Sequence, residues 1–113
     1  MARIDGLGVP TFEEYAYTAS KAAVIHLTRT MAGHLAQKKI LFNSVSPGLF
    51  PSKMGDQVIN AAGDAVSQSI PVGRPGLPRE IAGAVLFLAS PAGTYCAGTN
   101  IVVDGGMLAK PRM

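Results

Sequence analysis

Apolar residues fall at Val24, Leu27, Met31 and Leu35, at intervals of three, four and four that trace one stripe along a helix. The helix expected around them covers residues 14–37. Glu14 stands at its start and Lys38-Lys39 at its end, the charge order that the helix dipole favours. Ala19, Ala22 and Ala23 add a surface of small side chains that lets a neighbour approach closely. Residues 1–13 read as a loop, because Gly6, Gly8 and Pro10 interrupt any period. After the helix, residues 40–45 read as a short buried strand, opening on apolar Ile40-Leu41-Phe42 and bounded by Ser46-Pro47-Gly48. A helix is expected near residues 57–67, and Pro71, Gly73, Pro75, Gly76 and Pro78 then mark an irregular connection. Leu77-Pro78-Arg79-Glu80 reads as a helix entry with proline in the first turn. That helix runs to about Ala89 with Ile81, Val85 and Leu88 on one face, and Ser90-Pro91-Ala92-Gly93 ends it. Residues 100–103 make a second strand, followed by an Asp104-Gly105-Gly106 turn with a structural role. Two short strands separated by helices predict an α/β crossover of a parallel sheet, and no repeat or linker divides residues 1–113.

Composition changes this picture in one respect. A chain of 113 residues can close one small domain, yet it is 48% hydrophobic and only 15% charged. Such a balance fits a piece whose apolar faces are covered by something else. The net charge of +3 comes from scattered Lys and Arg with no basic run, so nucleic acid is not an expected partner. No apolar stretch approaches membrane-spanning length, the N-terminus carries no signal-peptide pattern, and Cys96 has no second cysteine to pair with. A cytoplasmic protein is expected.

The candidate chemistry lies in Tyr17-Thr18-Ala19-Ser20-Lys21. Residues four apart share a helix face, one turn from each other, so Lys21 stands beside Tyr17. An ammonium beside a phenol favours the phenolate, which makes the pair a proton donor and acceptor near neutral pH. Tyr15 has no lysine four residues on and is expected to pack. His26 and His34 are eight apart with no further ligand at metal spacing, so no metal is expected. Gly6-Leu7-Gly8 has neither a strand before it nor a third glycine at the right distance, and reads as loop rather than phosphate cradle.

Further motifs follow the pair in order: Asn43-Ser44-Val45-Ser46-Pro47-Gly48, Phe50-Pro51-Ser52-Lys53-Met54, Ile70-Pro71-Val72-Gly73-Arg74, Phe87-Leu88-Ala89-Ser90 and Val103-Asp104-Gly105-Gly106. In this order and spacing the chain resembles the C-terminal half of a short-chain dehydrogenase/reductase over about residues 5–106. The resemblance implies a Rossmann-like, doubly wound parallel sheet of which this chain is an incomplete part, without the N-terminal strands. It also implies that Tyr17 protonates a carbonyl oxygen while NAD(P)H delivers hydride to the carbon. Lys21 would assist Tyr17 and bond the nicotinamide ribose, Pro47-Gly48 would turn beneath the nicotinamide, Phe50 would contribute backbone, and Ser52 would stand for the threonine that reaches the carboxamide. The implied cofactor is NADP or NAD, with NADP favoured, and the substrate a small carbonyl or acyl compound. The loop at residues 5–10 and the wording of residues 50–54 are similar to reductases of the 3-oxoacyl-carrier-protein and rhamnolipid-biosynthesis type.

The family pattern also has parts with no counterpart here. There is no glycine-rich turn for the cofactor pyrophosphate, and no serine precedes Ser20. Ile4 or its neighbours occupy the place of a catalytic serine, Thr11 lies too close to Tyr17 to match it, and Asn43 does not match the family's relay asparagine. The chain alone is therefore expected to be inactive, and the strand at residues 40–45 to have an uncovered edge. Expected partners are a second copy, with the Tyr17 helix packed across a subunit interface, or a full-length relative of which this chain is a non-catalytic remnant.

Overall fold

The computed structural model describes residues 15–51 and 64–111. The helix expected over 14–37 is α1 (Tyr15–Leu35), continued by a 3-10 turn at Ala36–Lys38. Lys39 closes it in the left-handed region at φ 61, its N–H donating to Ala36 O at 2.9 Å, while Ile40 N–H donates to Leu35 O at 3.3 Å. Two hydroxyls within the helix bond back to the preceding turn: Ser20 Oγ donates to Tyr17 O and Thr28 Oγ1 to Val24 O, each at 2.7 Å.

The apolar stripe of Val24, Leu27, Met31 and Leu35 is not the buried side of the helix. Ile25 and Ala32 are buried, whereas Val24 is 39% and Leu27 56% exposed. One close contact lies on that side: a Cβ added at Gly98 would lie 3.3 Å from the Ala32 Cβ, so the helix meets the chain beneath through Ala32. Large residues at helical spacing then fall on a face that no described element covers.

The sheet has two parallel strands, β1 (Ser44–Pro47) and β2 (Asn100–Val103), in register Ser44↔Asn100 to Pro47↔Val103. The first strand starts four residues later than its apolar run. Ile40 and Leu41 lie outside the ladder and are 46% and 42% exposed, because pairing begins only where β2 offers a partner. Before the ladder, the Asn43 side chain donates to Cys96 O and accepts from Thr99 N–H, at 2.9 and 3.0 Å. Ser44 and Ser46 are buried, and both hydroxyls donate to Asn100 Oδ1 at 2.8 Å. A single amide carbonyl with two lone pairs thus satisfies two buried donors. Val45 and Ile70 complete the small core with Ile25 and Ala32.

Between the strands come α2 (Asp64–Ser69) and α3 (Pro78–Ala89). The part of the expected helix over 57–63 lies outside the described residues, and α2 ends two residues beyond it. The connection over residues 70–76 is tied at two points, Val72 N–H to Gly105 O at 3.0 Å and Gly76 N–H to Leu49 O at 2.9 Å. Extended Leu77 then caps α3 with Pro78 behind it, and the Glu80 carboxylate accepts the Leu77 N–H at 2.8 Å. Arg74 grips the same carboxylate with two N–H groups, at 2.7 and 3.0 Å. None of the residues of α3 is buried: Val85, expected on its core face, is 47% exposed, with Ile81 and Leu88 half-buried. The Asp104 turn is structural as expected. Its carboxylate accepts Gly106 N–H and Leu108 N–H, each at 2.9 Å, and Gly105 and Gly106 take positive φ.

The hydrogen bonds from Arg74 and then Leu77 hold the Glu80 carboxyl down to about 2 from its ordinary 4.5. The unfolded chain therefore takes up this proton first. The contribution of Glu80 is complete above about pH 4.5 and fades as pH falls towards 2. Amide exchange at the start of α3 is expected to accelerate across that window, and less steeply at high salt because the pair is exposed. In Glu80→Gln the same amides should show no step there, read by exchange at a series of pH values.

Candidate functional site

Tyr17 and Lys21 lie in the first two turns of α1, on one face, with the Lys21 ammonium 5.2 Å from the centre of the Tyr17 ring. This is within cation–π range, so the cation sits over the aromatic face. Tyr17 and Lys21 are both half-buried. Beside them the Thr18 Oγ1 is buried with no hydrogen-bond partner.

The direction of α1 places this pair relative to the sheet. Ala32, late in the helix, meets Gly98 just before β2, while Val24 and Thr28 lie alongside Leu41, Asn43, Ser44 and Val45. The helix therefore runs against the strands, and seven residues before Val24 is about 10 Å further on. Tyr17 and Lys21 thus lie towards the C-terminal ends of the strands, the end that carries Pro47 and Gly48 and where open α/β sheets take their ligands.

Of the turn residues, Gly48 is buried and its N–H donates to Val103 O at 2.9 Å. A Cβ there would come within 2.8 Å of Asp104 Cα and 2.9 Å of Asp104 Cβ, so the turn after β1 is pressed against the turn after β2. Glycine is required at 48 by the protein's own packing, whatever else approaches the turn. The Phe50 ring is seated on Gly76, where an added Cβ would overlap the ring carbons. Phe50 thereby anchors the chain leaving β1 to the connection before α3. Ser52 lies outside the described residues, as do Ile4 and Thr11. Tyr15, expected to pack, is 76% exposed. His26 and His34 are both exposed, and among the described residues no three His, Cys, Asp or Glu side chains cluster.

Two cavities adjoin these elements. One of about 80 Å³ lies between Phe50, Val72, Arg74 and Asp104 and is too small for a cofactor-sized ligand. The other, about 450 Å³, is an open groove beside β1, between α1 and α3, and contains none of the candidate residues. Asp104 is the residue that sequence reasoning undervalued. Its turn chemistry was legible, but its role as the wall behind Gly48 depends on a contact across 56 positions. Among the described residues no helix is long and apolar enough to cross a membrane.

A family model described as enoyl-(acyl carrier protein) reductase matches residues 4–108. The short-chain dehydrogenase/reductase PhomF' of Diaporthe leptostromiformis is 39% identical over 111 residues, spanning 94% of this chain and 38% of the relative. The 3-oxoacyl-(acyl-carrier-protein) reductase FabG of Rickettsia felis is 41% identical over 92 residues, 81% of this chain and 38% of the relative. Among solved structures, the Pseudomonas aeruginosa RhlG/NADP active-site complex superimposes with a TM-score of 0.86 at 40% identity, covering 94% of this chain and 44% of that one. The chain spans less than half the length of the relatives it matches.

If packing alone demands glycine at 48, Gly48→Ala should lower stability by about 1–3 kcal/mol, the cost of overpacking against backbone. Gly33→Ala, inside α1 with open space around it, should raise stability by about 0.4–1 kcal/mol. Urea midpoints at constant slope measure both, and a Gly48→Ala variant as stable as the parent would remove the packing account.

Proposed function

The chain belongs to the short-chain dehydrogenase/reductase family, and from that membership we propose that Tyr17 and Lys21 are the proton-transferring pair of an NAD(P)-dependent oxidoreductase acting on a carbonyl or secondary alcohol. The observation that carries this reading is the Lys21 ammonium over the Tyr17 ring, on the first turns of a helix directed at the C-terminal ends of the strands. Tyr17 O–H donates its proton to the carbonyl oxygen as the C=O bond becomes C–OH, and Lys21 holds positive charge over the ring that gives the proton up. NADPH or NADH, when bound, supplies the hydride that the carbonyl carbon accepts. The residues present suit the nicotinamide end of such a cofactor: Lys21 for the ribose, and the Pro47-Gly48 turn and Phe50 backbone beside the ring. The cofactor is NADP or NAD: relatives of solved structure are complexed with NADP in some cases and with NADH in others. The substrate class that the similarity to FabG favours is a small 3-oxoacyl compound.

The 113 residues contain no glycine-rich pyrophosphate turn, so the chain by itself holds the cofactor at one end and is inactive. A second reading, a non-catalytic remnant that pairs with a full-length relative, is favoured by the uncovered apolar faces of α1 and α3. A hybrid in which this chain replaces the matching segment of the Rickettsia felis reductase separates the two. It is expected to reduce a 3-oxoacyl thioester with NADPH, and Tyr17→Phe to lower kcat by about 10²–10⁴-fold, the usual contribution of a positioned acid. Retention of activity within a factor of three in Tyr17→Phe would overturn the assignment. Turnover of any ketone by the isolated 113 residues would overturn their inactivity.

A further inference from the structure

We propose that Asp104 is a positioning residue for the hydride transfer: held by two amides, it backs the Pro47-Gly48 turn and so sets where the nicotinamide ring rests. The proposal depends on the reading of that turn given above and adds one residue to the same site.

Neither residue of the turn can hold itself in place, since Pro47 has no N–H and Gly48 no side chain. Its position comes from what stands behind it. Pairing of Pro47 with Val103 brings Gly48 level with Asp104, and the Gly48 N–H donates to Val103 O at 2.9 Å. The two turns then meet backbone to backbone: a Cβ at Gly48 would lie 2.8 Å from Asp104 Cα. At that separation a displacement of Asp104 passes to the turn, because no flexible side chain stands between them to give way.

The Asp104 side chain holds this wall still. One of its carboxylate oxygens accepts the Gly106 N–H and the other the Leu108 N–H, each at 2.9 Å. A carboxylate offers an acceptor at each oxygen and no donor, which suits two converging amides. On the far side the wall is stopped by the connection over residues 70–76. Gly105 O accepts the Val72 N–H at 3.0 Å, and Cβ atoms at Gly105 and Gly106 would lie 2.8 Å from Ile70 Cγ2 and 3.1 Å from Pro71 Cβ. The turn after β2 is thus a block wedged between Gly48 and the start of that connection. Such placement matters for the chemistry, since a misplacement of about 1 Å at reacting atoms costs roughly 10²-fold in rate.

The test has two readouts. In the 113-residue chain, Asp104→Ala is expected to speed exchange of the Gly48 amide about ten-fold. The Ser44 amide, at the other end of β1, should exchange as in the parent. Asp104→Asn, which keeps one acceptor oxygen of the two, should fall between. In the Rickettsia felis hybrid, the reaction is run with NADPH and with NADPH deuterated at the nicotinamide C4. There Asp104→Ala should lower kcat about ten-fold and raise the isotope effect on kcat, because misplacement slows the hydride step itself. Asp104→Asn should again lie between. A residue that only held the fold together would reduce the amount of active enzyme and move neither the isotope effect nor KM. The proposal is overturned by unchanged Gly48 exchange, by equal acceleration at Gly48 and Ser44, or by an unchanged isotope effect. An active hybrid with an unchanged isotope effect rejects the role of Asp104 alone. A hybrid without turnover rejects the reading of the site and the hydride role with it, while the Gly48 exchange still reports whether Asp104 holds the turn.

Discussion

The amide oxygen of Asn100, accepting from Ser44 and Ser46 at once, is the contact on which the described structure depends. It buries two hydroxyls at no cost in unsatisfied donors and fixes the register of the only two strands described. The register in turn sets everything at the C-terminal end. With Pro47 opposite Val103, the turn after β1 meets the turn after β2, Gly48 N–H finds Val103 O, and Asp104 closes behind it. A slip of one residue would turn Ser44 and Ser46 to the other face and leave their hydroxyls without that acceptor. The side-chain bridge from Asn43 to Cys96 and Thr99 guards the other end of the ladder against the same slip.

What could be read in the sequence was what local spacing decides. The period of α1, the Pro78 and Glu80 entry to α3, the Asp104 turn and the adjacency of Tyr17 and Lys21 all follow from residues within four positions of one another, and all appear in the structure. What could not be read depends on residues far apart in the chain. The buried side of α1 meets Gly98 through Ala32, a contact in which neither residue carries a strong apolar signal. The first strand begins at polar Ser44 rather than apolar Ile40 because its partner lies 56 positions on. Gly48 looked equally like a turn residue and a cofactor-facing one, and only Asp104 shows that packing already excludes a side chain there.

The candidate chemistry and the fold are joined by one helix. The face of α1 that meets the sheet buries Ile25 and Ala32, with Ala32 close to Gly98, and the helix direction puts Tyr17 and Lys21 towards the end where the strand turns lie. Anything that lifted the helix from the sheet, such as a larger side chain at Ala32, would shift the pair relative to the strand ends without touching either residue. The apolar faces left over on α1 and α3 are the counterpart of this arrangement. They belong to a layered fold in which a sheet is covered on both sides, and two strands are too few to be covered by two helices.

The separation of Ser44 from Asn100 also sets an order of events during synthesis on the ribosome. Fifty-six further residues must be polymerised before the acceptor of the Ser44 hydroxyl exists, which at ordinary elongation rates is about 3–11 s. Through that interval the first strand lacks β2 as a partner, far longer than the microseconds in which a hairpin forms. A nascent chain of this sequence is thus open to pairing with whatever strand has already been made, and the native ladder is among the last contacts it forms.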